Sequence, residues 1–115
     1  MARTITRDEI KARLDRKEDI VILEALPEKY YRHSHLPGAL NMPHDAVEAL
    51  APTLVPDRNV EIVVYCANPA CKNSGIAAEA LTALGYANVR IYEAGKADWI
   101  DAGYPIEGSA ARRAA

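Results

Sequence analysis

Val63-Val64-Tyr65-Cys66 carries an apolar, β-branched run straight into a cysteine, and the chain turns polar at once behind it. Ala67-Asn68-Pro69-Ala70-Cys71-Lys72-Asn73-Ser74 follows, then Gly75-Ile76-Ala77-Ala78-Glu79-Ala80-Leu81-Thr82-Ala83-Leu84, closed by Gly85. The residues from Glu61 to Tyr65 read as a strand apolar on both faces, which suits the middle of a parallel sheet. Ser74 to Leu84 reads as a helix with a C′ glycine. A strand–loop–helix unit of this kind sets Cys66 beside the unpaired N–H groups and positive dipole end of a helix. That setting favours thiolate over thiol, and it predicts a lowered pKa and nucleophilic reactivity for Cys66.

The flanking chain supplies the rest of a fold. Thr6-Arg7-Asp8-Glu9 forms a capping box for a helix over Arg7 to Asp15, with Ile10 and Leu14 facing inward. Ile20 to Glu24 is a short apolar strand. A polar segment holding two tyrosines and two histidines then leads to the Pro37-Gly38 turn and a short strand over Leu40 to Met42, stopped by Pro43. Asp45 is placed to cap a small helix carrying Val47, Leu50 and Leu54. Beyond Gly85, Asn88 to Tyr92 reads as a strand and Gly95 to Asp101 as a last helix around Trp99, ended by Gly103-Tyr104-Pro105. Strand and helix alternate, which predicts an α/β domain with a central parallel sheet flanked by helices on both faces. The expected domain covers residues 1–107, with residues 108–115 as a frayed tail. Ligands of such sheets bind outside the carboxyl ends of the strands, where Cys66 falls.

Composition narrows the function classes. With 115 residues, half of them hydrophobic, the chain buries one core without staples. A formal charge of −2 gives no reason to expect nucleic acid or an anionic membrane as a partner. The two cysteines lie five positions apart and do not form the framework of a secreted scaffold. No apolar stretch approaches the ~20 residues needed to span a bilayer, and no signal-peptide core follows Met1. A reducing cytoplasm is the expected location.

Four segments in order resemble a rhodanese-homology domain. Tyr31-Arg32-His33-Ser34-His35-Leu36-Pro37-Gly38-Ala39-Leu40-Asn41-Met42-Pro43 resembles the family's approach motif, and Val63 to Cys66 the strand that ends in its catalytic cysteine. Leu84 to Gly95 resembles the stretch leading into its final helix, and Ala97-Asp98-Trp99 with Gly103-Tyr104-Pro105 completes the match from about Thr4 to Glu107. The departures are specific. Leu23-Glu24-Ala25-Leu26 lacks the arginine of the usual Asp-x-Arg pair, Ser34 and Ala94 replace glycines, and the active loop is altered by Pro69, a second cysteine and Lys72.

The resemblance implies a sulfurtransferase. Cys66 takes the sulfane sulfur of a small sulfur-containing anion, such as thiosulfate, or of a persulfide donor, holds it as a persulfide, and gives it to a thiophilic acceptor, a protein thiol among the candidates. The substrate cradle would be Ala67, Asn68, Ala70, Cys71, Lys72, Asn73 and Ser74, with Pro69 contributing no N–H. No cofactor is implied. Cys71 is within possible disulfide reach of Cys66, as a resolving thiol or a sulfur acceptor; the alternative is a loop residue without a role. Lys72 stands where Cys-based phosphatases and arsenate reductases carry arginine, which leaves oxyanion chemistry as an alternative, though lysine lacks the bidentate fork. A non-enzymatic persulfide carrier or redox module is the third alternative. His33 and His35 with the two cysteines offer a zinc site only on paper: the Cys-x4-Cys spacing is permitted, but the His-x-His pair lies far upstream and the resemblance implies a structural approach loop for His35, so no metal is expected. Tyr92 and Trp99 read as core, the Arg112-Arg113 pair as solvated, and Glu93, just past a strand end, as a solvated carboxylate with lining of the site as the alternative.

Overall fold

Strand ends that line up across the sheet set the geometry of everything that follows. The computed structural model describes the backbone of residues 3–114 and the side chains of residues 3–111. Its elements are β1 (Arg3–Thr4), α1 (Arg7–Asp15), β2 (Ile20–Glu24), α2 (Glu28–His33), β3 (Leu40–Asn41), α3 (Val47–Leu54), β4 (Glu61–Tyr65), α4 (Asn73–Ala83), β5 (Val89–Tyr92), α5 (Gly95–Asp101) and α6 (Ser109–Ala114). The five strands form one sheet in the order β1-β5-β4-β2-β3, and every pairing is parallel. Glu24, Tyr65 and Tyr92 pair side by side, and Asn41 pairs with Glu24. The carboxyl ends of β3, β2, β4 and β5 therefore form one row, and Cys66 is the first residue beyond it.

Alternation along β4 divides the core between the two faces of the sheet. Ile62 and Val64 pack with Val47 and Ala51 of α3 and with Ala77, Ala78 and Leu81 of α4. Val63 and Tyr65 pack on the other face with Ile10 of α1 and Trp99 of α5. Helices thus cover both faces, as the alternating sequence predicts. Trp99 is fully buried and its indole N–H donates to the Pro105 carbonyl at 2.7 Å. Tyr92 is buried as well, its hydroxyl donating to Asp98 at 2.6 Å.

The capping box of α1 is present in both directions, and Gly85 takes the positive φ of a C′ residue at +95°. Three elements, β1, α2 and α6, lie outside the sequence expectation. β1 is only two residues long and exposed; pairing holds it, with Ile5 N–H donating to the Ile91 carbonyl at 3.0 Å. α2 has no buried residue, so it lacks the apolar stripe that marks a helix in sequence. The cap of α3 is Ala46, one residue past the expected Asp45, and it makes no side-chain hydrogen bond. Residues 108–115, expected to fray, include α6. The Arg112-Arg113 side chains lie outside the described residues. Among the described residues no helix is long and apolar enough to cross a membrane.

Candidate active site

The backbone of Cys66 and Ala67 is held from below by the start of α5. The first N–H groups of a helix have no partner inside it. Here Lys96 N–H donates to the Cys66 carbonyl and Ala97 N–H to the Ala67 carbonyl, both at 2.9 Å. Gly95, at φ +77°, makes this approach possible: a Cβ there would lie 2.8 Å from the Cys66 carbonyl oxygen, 2.8 Å from the Ala67 carbonyl carbon and 2.7 Å from Asn68 N. All three are backbone atoms, so no side-chain movement would relieve the contact.

Asn68 shapes the loop above. Its side-chain oxygen accepts from Ala70 N–H at 2.9 Å, and its carbonyl accepts from Cys71 N–H at 3.0 Å. Pro69 sits at the second position of this turn, where its fixed φ is favourable. The turn folds the loop back over the strand end. Cys66, 2% exposed, consequently meets the Cys71 carbonyl oxygen at 3.3 Å and the Ser74 hydroxyl at 3.5 Å.

The proton bias between the two thiols reverses the sequence expectation. Burial pushes the Cys66 thiol above its ordinary value, and its contact with Cys71 adds to the rise; hydrogen bonds from Ser74 only partly oppose it. Burial also acts upward on Cys71. There the Cys66 side chain and the N–H groups of Ala67 and Asn73 outweigh it, and the Cys71 thiol is held below its ordinary value. The expected helix-end stabilisation of a thiolate falls on Cys71 because the turn carries Cys66 behind the loop.

An open cleft of about 320 Å³ is lined by Pro69, Cys71, Lys72, Ser74, Gly75, Ile91 and Glu93, with Cys66 behind the loop that forms its wall. Of the seven residues expected to form a cradle, the structure brings Cys71, Lys72 and Ser74 to the cleft. The backbone N–H groups of Ala67 and Asn73 face the Cys71 sulfur instead. Asn68 is occupied with the turn, and the Ala70 N–H is already used by it. Glu93 is exposed and, like Lys72, forms part of the cleft wall.

Two functional-site supports are absent from the sequence expectation. Glu24, at the end of β2, is completely buried, and so nearly is Lys96 of α5. The Lys96 ammonium bonds both Glu24 oxygens, at 3.0 and 3.1 Å, and also the carbonyls of Ser34 at 2.6 Å and Tyr30 at 3.2 Å. Tyr65 donates to Glu24 at 2.6 Å and accepts from Leu36 N–H at 3.1 Å. Burial, then the Glu24 charge, raises the Tyr65 phenol far above its ordinary value, so it remains a donor. The cation missing after β2 in the sequence is thus supplied from α5. A carboxylate at the end of an otherwise apolar strand was the available signal, because a buried charge requires a partner. His35 lies in the approach loop, its ring stacked on Tyr31 at 3.9 Å, with Nδ1 donating to the Tyr31 carbonyl at 2.7 Å. His33 is exposed.

Comparison with known proteins agrees with this architecture. The Rhodanese-like domain family matches residues 6–102. Thiosulfate sulfurtransferase PspE of Escherichia coli is 41% identical over 64 residues, which is 56% of this chain and 59% of that protein; the match thus spans less than two thirds of the relative's length. The rhodanese-like domain of the Anabaena protein Alr3790 is similar in structure, with a TM-score of 0.83 and 28% identity over 98% of this chain and 84% of that one. The thiosulfate sulfurtransferase of Pseudomonas aeruginosa gives a TM-score of 0.82 at 26% identity, over 93% of this chain but only 20% of that larger one. With a family match over most of its length and a parallel sheet whose central strand leads into Cys66, the chain belongs to the rhodanese-like domain family.

Proposed function

We propose that this protein is a sulfurtransferase in which Cys66 carries a sulfane sulfur as a persulfide. The observation that carries the proposal is the setting of Cys66: the first residue past the central strand, under a loop whose cleft admits a small sulfur anion or a persulfide. Its likeness to a thiosulfate sulfurtransferase supports the donor class. The Cys66 thiol first loses its proton. The Cys66 thiolate then attacks the outer sulfur of thiosulfate; the sulfur–sulfur bond of the donor breaks and sulfite departs with its electron pair. A nucleophilic acceptor afterwards removes the outer sulfur and returns the thiolate.

Phosphate or arsenate chemistry fits less well. Lys72, a point charge where Cys-based phosphatases carry arginine, offers no bidentate grip on a tetrahedral oxyanion. The test is an intact mass of the protein after brief exposure to thiosulfate. One added sulfur, discharged by cyanide and absent from Cys66→Ser, is expected. Loading retained by Cys66→Ser would remove Cys66 from the role.

A further inference from the structure

The two thiols of the loop are unequal in a way that simple persulfide chemistry does not need. Cys66 is 2% exposed and enclosed by Cys71 and Ser74, whereas Cys71 forms part of the cleft wall beside Lys72, Ser74 and Glu93. Cyanide is small enough to reach an outer sulfur on Cys66. A thiol borne on a peptide must bring its sulfur in line behind the loop, where the Cys71 backbone stands.

We propose that Cys71 is a second sulfur-carrying site, taking the outer sulfur from Cys66 and presenting it in the cleft to a peptidyl thiol. This rests on the persulfide reading above and assigns its delivery half. In the step, the Cys71 thiolate attacks the outer sulfur of the protonated Cys66 persulfide. A bond forms from Cys71 Sγ to that sulfur, and the bond from it to Cys66 Sγ breaks. The electron pair of the broken bond stays on Cys66 Sγ, which takes up the proton released by the outer sulfur. The products are a Cys71 persulfide anion and a Cys66 thiol, with no net oxidation and no outside reductant.

The surroundings prepare the two partners for this step. Burial favours return of the proton to Cys66 Sγ as it leaves, and the N–H groups of Ala67 and Asn73 favour Cys71 as the thiolate that attacks. An acceptor thiolate then attacks the outer sulfur on Cys71 and leaves Cys71 as the thiolate again. Lys72 and Glu93 on the cleft wall give it a cation and a carboxylate together; these match the opposite charges of a zwitterionic peptide better than those of a simple dianion.

The test uses the whole wild-type protein. It is loaded with thiosulfate, alkylated at intervals, digested after Arg58 and Lys72, and fragmented by mass spectrometry; cleavage on the N-terminal side of Pro69 separates the two cysteines. Sulfur appearing on Cys66 first and on Cys71 afterwards is the expected result. With glutathione as acceptor, discharge from Cys71→Ser should be slower by roughly tenfold or more while its sulfur stays on Cys66. Sulfur found only on Cys66, with glutathione discharging the Cys71→Ser protein as fast as wild type, overturns the relay and leaves Cys66 sulfur transfer standing. A Cys66–Cys71 disulfide with sulfide released also overturns it, because the outer sulfur would then be expelled rather than passed on. Sulfur on neither cysteine removes the persulfide reading itself and the relay with it.

Discussion

Gly95→Ala isolates what the junction between the active loop and α5 contributes. Gly95 holds φ +77°, a region that costs a residue with a Cβ about 1–2 kcal/mol. Gly103 sits at nearly the same angle, +76°, with nothing within 4 Å of its would-be Cβ. Gly103→Ala therefore measures the dihedral cost alone, about 1–2 kcal/mol. At Gly95 the new methyl would meet three backbone atoms at 2.7 to 2.8 Å, well inside carbon contact distance. The loop and the helix must separate, which stretches the bonds from Lys96 and Ala97 N–H to the Cys66 and Ala67 carbonyls. At about 1 kcal/mol each, their loss brings Gly95→Ala to roughly 3–4 kcal/mol, some 2 kcal/mol beyond Gly103→Ala. Urea unfolding followed by Trp99 fluorescence is a suitable assay, since this single tryptophan is fully buried. Equal midpoints for the two variants would refute the close-approach argument.

Further outcomes follow from the same geometry. Lys96→Met leaves the Glu24 carboxylate buried without its cation, a loss of about 3–5 kcal/mol, and adding Glu24→Gln should recover part of it; a single variant with an unchanged urea midpoint would count against the buried pair. Alkylation by iodoacetamide should follow the two thiols' opposite shifts. A lowered pKa means thiolate at lower pH, so Cys71 should react with a lower pH midpoint than Cys66; the reverse order in peptide mapping would reject the assigned proton bias.

Much of the architecture was legible because its signals are local. The capping box at Thr6 and Glu9 sets the start of α1, and the apolar runs ending at Glu24 and Tyr65 gave β2 and β4 at their observed bounds. β1 was hidden because two residues show no periodicity, and α2 because none of its side chains is buried. The position of Cys66 at a strand end was readable for the same local reason. Which thiol keeps the proton was not, since it depends on the Asn68 turn bringing Cys71 over Cys66. Lys96 escaped notice because, between Gly95 and Ala97, a lysine in the first turn of a short helix looks solvent-facing; its ammonium instead spans to β2.

That span has a kinetic consequence. The contact joins residues 72 positions apart, and contacts so distant in sequence form late, after the entropy of closing a long loop has been met. Until α5 docks, the Cys66 and Ala67 carbonyls lack their donors and Glu24 lacks its cation. A chain still emerging from synthesis therefore carries its cysteines in an unassembled loop, which is held in place only once α5 has been made and has docked.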